Sequence, residues 1–229
     1  MATQLDLQEQ EQLDTLKSFW KQYGNLVTWV LIAVLAAFAG WNGWQWWQRD
    51  QAFKAAALFD ELDRAAQGGD ADKAGRVFAD LKDRYPRTAF AEQGGLLAAK
   101  TQFEKGQADN ARLSLGWVAD HALQDELRTV ARLRLADLQA QSQKYDDALV
   151  TLDAAKADGF EGLVADRRGD VLLLQGKAEA ARAAYQAAWT AMDVKLDYRR
   201  LVEAKLTALG ATPVGPAVTA SAAASGAAR

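Results

Sequence analysis

Apolar residues follow two different patterns along this chain. The first is an uninterrupted run, because no charged side chain occurs between Lys21 and Arg49 and residues 26–47 are mostly apolar. A helix of this length is roughly 33 Å long, which is enough to cross the hydrocarbon core of a bilayer. From residue 48 onwards, apolar positions recur at helical spacing among charged residues. The pattern predicts one membrane-spanning helix over residues 24–47, followed by a helical domain outside the membrane.

Aromatic residues lie at both ends of the apolar run, where amphipathic rings prefer the headgroup region. The predicted membrane-interface residues are Trp20, Tyr23, Trp41, Trp44, Trp46 and Trp47. Contact with a partner protein at the membrane surface is the alternative role for the tryptophan cluster. A cleaved signal peptide is the alternative for the whole run, since Ala37-Phe38-Ala39 has the small-x-small form of a cleavage site. The preceding segment is long and acidic, whereas signal peptides begin short and basic, so an uncleaved anchor is favoured.

Small residues form a stripe along one side of the predicted span. They recur at spacings of three, four and three, and they are Ala33, Ala36, Gly40 and Gly43. Such stripes let a second helix approach closely, which predicts packing against another membrane helix. The alternative is that alanine and glycine are simply common in membrane helices. Basic residues are balanced across the span, so orientation rests on the short tail before it and the large domain after it, which favours export of the domain.

A helix-turn-helix pattern recurs four times in the rest of the chain. The units align on an alanine early in each second helix, and these anchor alanines are Ala74, Ala111, Ala148 and Ala181. They are separated by 37, 37 and 33 residues. Four and seven positions after each anchor come apolar or small residues, a spacing that predicts one buried face. These residues are Phe78, Leu115, Leu152 and Tyr185 at the first position, and Leu81, Val118, Ala155 and Ala188 at the second.

The turn inside each unit is predicted five residues before its anchor. Glycine stands there in three units, where a tight turn favours positive φ, and Gln143 stands there in the remaining unit. Twelve residues before the anchor, the later three units carry small residues that allow close helix packing: Ala99, Ala136 and Gly169. Leu62 takes this place in the first unit, which is therefore irregular.

The four units resemble the tetratricopeptide repeat, whose second helix closes with a proline, matched here by Pro86. Stacked helix pairs of this kind form a superhelix with a groove, and the last unit needs a cover. Residues 195–210 are predicted to be that capping helix, through Leu196, Leu201, Leu206 and Leu209. The predicted fold class is all-α, a single N-terminal transmembrane helix followed by a tetratricopeptide-like helical-repeat superhelix with a C-terminal capping helix. The predicted segments are a tail over residues 1–23, the span over 24–47, the repeat domain over 48–209, and a disordered, low-complexity tail over 210–229.

The exposed side of each unit's first helix is expected to line the concave wall, as it does in the tetratricopeptide proteins that these units resemble. Transferring that habit onto the alignment gives the predicted partner groove: Phe59, Asp63, Gln93, Lys100, Phe103, Leu133 and Asp137. For the apolar members, core packing between units is the alternative. For the charged members, simple solvation is the alternative.

Composition argues against catalysis and against nucleic-acid binding. The 229 residues carry 27 basic and 30 acidic side chains, a net charge of −3 that gives no general attraction for a polyanion. Cysteine is absent, which removes disulfides, thiolate nucleophiles and zinc-thiolate sites. His121 is the one histidine and has no partner pattern, so it is interpreted as a loop or helix-end residue. No catalytic residue, cofactor or metal site is predicted, and we expect a non-enzymatic protein.

The N-terminal run EQLDTLKSFWKQYGN, leading into one span and then GWNGWQWWQ and degenerate repeats, resembles the YfgM-type family of ancillary SecYEG translocon subunits. This resemblance covers residues 9–209. It implies a cytoplasmic N-terminus, one inner-membrane crossing and a periplasmic repeat domain. It also implies contact with SecYEG and with a PpiD-like periplasmic chaperone, and possible contact with exported polypeptides. The alternatives are an inner-membrane scaffold for envelope assembly or stress signalling, and a divergent membrane-bound enzyme.

Overall fold

A computed structural model describes residues 7–213, and this part of the chain is helical, without a strand. The structure divides into two units between Phe53 and Lys54. The helices are α1 (Leu7–Gln67), α2 (Ala71–Arg84), α3 (Ala89–Glu104), α4 (Ala108–His121), α5 (Asp125–Gln141), α6 (Tyr145–Asp153), α7 (Glu161–Leu174), α8 (Ala178–Ala191) and α9 (Arg199–Ala208). Most of the predicted C-terminal tail, residues 214–229, lies outside the described residues.

Helix α1 is 61 residues long and contains the whole apolar run. Within the described residues it is the one helix long and apolar enough to cross a membrane, with a mean hydropathy of 1.8 in its apolar window. The predicted boundary between span and repeat domain, after residue 47, falls inside this helix, and it stays a prediction. The large apolar side chains of the run are exposed rather than packed in a core.

Two polar side chains inside the apolar run are satisfied within the helix. The Thr28 hydroxyl donates to the Gly24 carbonyl over 2.8 Å, and the Asn42 amide donates to the Phe38 carbonyl over 3.0 Å. A polar group without a partner is costly in hydrocarbon, so these internal bonds make both residues compatible with a span.

The repeat register predicted from the anchor alanines is confirmed. All four anchors have no exposed surface, and the large residues four positions later are at most 4 % exposed. Full burial of a large apolar side chain stabilises a fold by about 1.5–3 kcal/mol, so each second helix contributes a strong contact to its partner helix. The second helices are α2, α4, α6 and α8, and the first helices are the end of α1 with α3, α5 and α7.

The turn inside each unit has the same left-handed residue. Gly69, Gly106 and Gly176 have φ values of 67°, 77° and 77°, and Gln143 has φ 60° at the equivalent place. A side chain in this region is disfavoured by about 1–2 kcal/mol per residue. The third unit therefore keeps the turn geometry without the residue that suits it.

Close helix packing twelve residues before the anchor is confirmed where it is tightest, at Gly169. A Cβ added at this residue would lie 2.4 Å from Cε1 of Tyr185, so the aromatic ring of α8 rests directly on the backbone of α7. Ala99 and Ala136 are buried at the same position of the preceding units, and Leu62 is fully buried in the first unit.

The capping helix exists but is shorter than predicted. Helix α9 begins at Arg199, so Leu196 lies in the preceding turn and is 52 % exposed. Leu201 is 47 % exposed, so this apolar residue of the predicted cap does not pack on the last repeat. Val202 and Leu206 are fully buried in its place, because residues four apart share the helix face that packs on the last repeat.

Candidate functional site

Three of the predicted groove residues line one cavity on the first helices of the second and third repeats. Lys100 and Phe103 come from α3 and Asp137 from α5, and the cavity has a volume of about 260 Å³. Its other lining residues are Ala99, Leu115, Arg134, Leu138 and Gln141. We call this site the inter-repeat cavity.

The other four predicted groove residues lie elsewhere. Phe59 packs against the core of the first repeat, with its ring centroid 5.6 Å from that of Phe90. Leu133 packs partly buried against the core of the third repeat. Asp63 accepts a 2.7 Å hydrogen bond from Gln67 on its own helix, and Gln93 is exposed. The two apolar members therefore contribute to core packing.

Apolar and charged groups meet in the inter-repeat cavity. Ala99, Leu115 and Leu138 are at most 6 % exposed and form its apolar wall, while Phe103 is 42 % exposed. Burial raises the pKa of the Asp137 carboxyl, and the nearby Arg167 guanidinium, with Nε 3.4 Å from Oδ1, opposes that rise.

A buried ionic network lies beside this cavity and ties the cap to the last repeat. The Lys205 ammonium of α9 lies 2.8 and 2.9 Å from the carboxylate oxygens of Asp166 and 2.7 and 2.9 Å from those of Asp170. Asp166 has no exposed surface. Arg167 connects the network to α5, because it lies 3.2 Å from Asp170 and also pairs with Asp137 of α5.

Two tyrosines complete the network as hydrogen-bond donors. The Tyr185 hydroxyl donates to Asp170 over 2.7 Å, and the Tyr198 hydroxyl donates to Asp166 over 2.8 Å. Burial and the hydrogen bond to Asp166 raise the pKa of Tyr198 to about 12, and burial likewise raises the pKa of Tyr185. Both tyrosines are therefore neutral donors over the physiological pH range. Sequence reasoning missed this network, whose members are 32–39 residues apart between α7 and the cap.

Sequence reasoning also missed a buried polar contact that recurs in the two middle repeats. Nineteen residues before the anchor, Glu92 and Thr129 are each 1 % exposed. Glu92 accepts a hydrogen bond from the Leu123 backbone N–H over 2.8 Å, and Thr129 accepts one from Ala157 over 3.2 Å. Each bond fixes the segment that follows the second helix. Their common offset from the anchors was the available signal.

The small-residue stripe and the aromatic ends of the span are accessible on α1. Ala33, Ala36, Gly40 and Gly43 are exposed, and a Cβ added at either glycine would meet no atom within 4 Å. The six predicted interface aromatics are exposed as well: Trp20, Tyr23, Trp41, Trp44, Trp46 and Trp47. The Trp44 and Trp47 rings have centroids 5.2 Å apart and form one aromatic surface. Helix packing and membrane-interface contact remain predictions for these residues.

Among the described residues, no group of three or more histidine, aspartate or glutamate side chains is placed to hold a metal ion. His121 is the last residue of α4, and its ring stacks on Trp117 at a centroid distance of 5.2 Å. Its Nδ1 lies 2.9 Å from the Trp117 carbonyl oxygen. This geometry gives His121 a structural role at a helix end.

Comparison with known proteins adds an independent line of evidence. Residues 17–211 match the family model of the tetratricopeptide repeat-like domain. A protein of Neisseria gonorrhoeae named "Ancillary SecYEG translocon subunit" is 30 % identical over 204 residues, which cover 89 % of this chain and 98 % of the relative. Proteins of the same name from Escherichia coli K12 and Haemophilus influenzae are 31 % and 27 % identical over 182 residues, covering 78 % and 80 % of this chain and 86 % and 89 % of the relatives.

Proposed function

The chain belongs to the family of ancillary SecYEG translocon subunits, with a tetratricopeptide repeat-like domain, and on this premise we propose that it holds a protein-binding repeat domain beside the Sec export channel. The observation that carries the proposal is the 30 % identity to a translocon subunit over 98 % of that relative's length, from the apolar helix to the last repeat. Similarity over both parts supports retention of both roles, anchoring and binding.

In this proposal the mechanism is tethering rather than turnover. The apolar helix α1 confines the repeats to the membrane, and a confined binding surface meets emerging chains at a high effective concentration. Weak contacts then suffice for capture, and clients can be released without an energy source. The inter-repeat cavity and the first helices around it are the proposed binding surface.

We place the repeats on the periplasmic side and the N-terminus in the cytoplasm, and we propose that they pass exported chains to a membrane-anchored, PpiD-like periplasmic chaperone. The orientation can be tested cleanly because the chain contains no cysteine. Ser18→Cys and Lys144→Cys place single thiols at exposed positions before the span and in the repeats. A membrane-impermeant maleimide applied to spheroplasts should label only Lys144→Cys. Labelling of Ser18→Cys alone would indicate the opposite orientation.

The small-residue stripe is the proposed contact with a membrane helix of the translocon. Leucines at Ala36 and Gly40 cause no clash inside the protein, since both positions are exposed. Copurification of SecY from mild detergent should fall strongly with Ala36→Leu/Gly40→Leu, because bulk at the stripe prevents close helix approach. The matched control is Val34→Leu/Phe38→Leu, which has the same spacing on the opposite side of the helix. Unchanged SecY recovery with the first pair would refute the proposed contact.

A further inference from the structure

One charged residue occurs in every repeat at the same position of the first helix. Eleven residues before the anchors stand Asp63, Lys100, Asp137 and Asp170. Three are carboxylates and one, in the second repeat, is a lysine. This column runs along the first helices and passes through the inter-repeat cavity.

A second column supplies arginines that can pair with the first. Fourteen residues before the anchors of the third and fourth repeats stand Arg134 and Arg167. Arg167 reaches back to the preceding repeat, where its Nε lies 3.4 Å from Oδ1 of Asp137. The structure thus contains an ion pair between consecutive repeats, formed by an arginine of one and a carboxylate of the repeat before it.

The equivalent position one repeat earlier lacks its anion. There Arg134 is matched with Lys100 rather than with an aspartate, and both line the inter-repeat cavity. Over residues 7–213 Arg134 makes no hydrogen bond or ion pair, and the Lys100 ammonium is 3.9 Å from Glu104 on its own helix. The side chains of Lys100 and Glu104 are 64 % and 59 % exposed, and exposed ion pairs of this kind contribute little to stability. Two cations consequently share a cavity from which the expected carboxylate is missing.

The cavity also has room and an apolar wall beside these cations. Its volume of about 260 Å³ is below the range of about 300–1,000 Å³ typical of small-molecule sites, and suits one or two side chains of a polypeptide. Leu115 and Leu138 line it, with the ring of Phe103 partly exposed above them. The carboxylate of Asp137 also lines the cavity, but within the described residues it forms an ion pair with Arg167 and none with Lys100 or Arg134.

We propose that the inter-repeat cavity binds a polypeptide segment in which an acidic side chain stands next to a large apolar one. The ligand carboxylate supplies the missing anion to Lys100 and Arg134, and the apolar side chain packs on Leu115, Leu138 and Phe103. This inference rests on the proposed function and adds the chemistry of the segments that the repeats bind.

The test uses the full-length protein in detergent micelles and fluorescein-labelled peptides with both ends blocked. The sequence GSGLELGSG carries the proposed ligand, and GSGLKLGSG reverses its charge. We expect fluorescence polarisation to show binding of the acidic peptide at least about tenfold tighter than that of the basic one, weakening as salt is raised, since charge-assisted bonds are screened. Equal affinity for the two peptides, or no binding of the acidic one, would overturn the proposal.

A substitution that supplies the missing anion gives a second, independent readout. Lys100→Asp recreates the Asp137–Arg167 ion pair one repeat earlier. It should therefore raise the melting temperature and weaken binding of the acidic peptide by about tenfold or more. Arg87→Asp changes the net charge equally at an exposed position outside the cavity, and should leave peptide affinity unchanged. A lower melting temperature with Lys100→Asp, or unchanged peptide affinity, would contradict the missing-anion account.

The same variants separate this inference from the proposed function. Lys100→Asp is expected to copurify with SecY as the parent chain does, because the substitution leaves the small-residue stripe unchanged. Failure of peptide binding with intact SecY recovery would reject only the ligand chemistry. If SecY did not copurify with the unsubstituted protein, the proposed function itself would be rejected.

Discussion

Replacing Lys205 by methionine should destabilise the end of the repeat array, although the lysine side chain is partly exposed. Its ammonium is the cation between two carboxylates, with four N–O distances of 2.7–2.9 Å, and one of those carboxylates, Asp166, has no exposed surface. Methionine keeps much of the length of the side chain but removes its charge. Asp166 is then left buried beside Asp170 with Arg167 as the remaining cation, 4.0 Å from Asp166 and 3.2 Å from Asp170.

The expected cost follows from the burial of that pair. Removing one partner of a buried ion pair typically costs about 3–5 kcal/mol, because the remaining charge stays desolvated. Arg167 stays near both carboxylates, so we expect a cost near the lower end of that range. If the whole repeat domain unfolds as one unit, the melting temperature should fall by about 6–12 °C. In a repeat array the loss can also be confined to the end that is affected, so hydrogen exchange should quicken first in α9 and α8.

The assay is thermal unfolding followed by circular dichroism, with amide hydrogen exchange on the same samples. Lys195→Met removes the same charge from an exposed position near the cap and should change the melting temperature by less than about 2 °C. Adding Asp166→Asn to Lys205→Met should recover part of the loss, since the buried negative charge beside Asp170 is then removed. A Lys205→Met protein as stable as the Lys195→Met control would refute the assigned role of the network.

Three further predictions concern other parts of the repeats. Because the pKa of Tyr198 is raised to about 12 from an ordinary value of about 10, its hydroxyl stabilises the fold fully below pH 10 and progressively less up to pH 12. Tyr198→Phe should therefore reduce the fall of the urea midpoint between about pH 10 and about pH 12, and an unchanged fall would count against this role. Gly169→Ala places a Cβ 2.4 Å from Tyr185 and should cost about 1–3 kcal/mol in urea unfolding, whereas Gly116→Ala, with no atom within 4 Å, should stabilise by about 0.5–1 kcal/mol; equal effects would refute the packing difference. Gln143→Gly should raise the melting temperature by relieving a left-handed side chain, at about 1 kcal/mol, and a lower value would show that the turn tolerates glutamine.

Contacts and turns that recur in every repeat could be predicted from the sequence. The anchor alanines and the residues four positions later obey helical spacing, so one pattern predicted four buried contacts. At Gln143 the repeat register alone was sufficient. Its side chain does not favour positive φ, yet its place five residues before an anchor predicted the turn that the structure contains. Contacts that lacked a period were not found in this way.

The missed features depend on which residues meet across long separations. Asp166, Asp170 and Lys205 resemble ordinary solvated charges in the sequence, since nothing local marks a carboxylate as buried. Their burial follows from the position of α9 over α7 and α8, which also explains why Val202 rather than Leu201 faces the core. The inter-repeat cavity was partly predicted, because repeat equivalence placed Lys100 and Asp137 on one face, but Arg134 was not included.

In-cell photo-crosslinking from the span tests the central claim most directly. A benzoylphenylalanine introduced at Ala36, on the small-residue stripe, should crosslink to a membrane subunit of the Sec translocon, identified by mass spectrometry of the adduct. The same probe at Val34, on the opposite side of α1, should give much less of that adduct. Crosslinks from Ala36 to proteins unrelated to the translocon, with none to its subunits, would contradict the account.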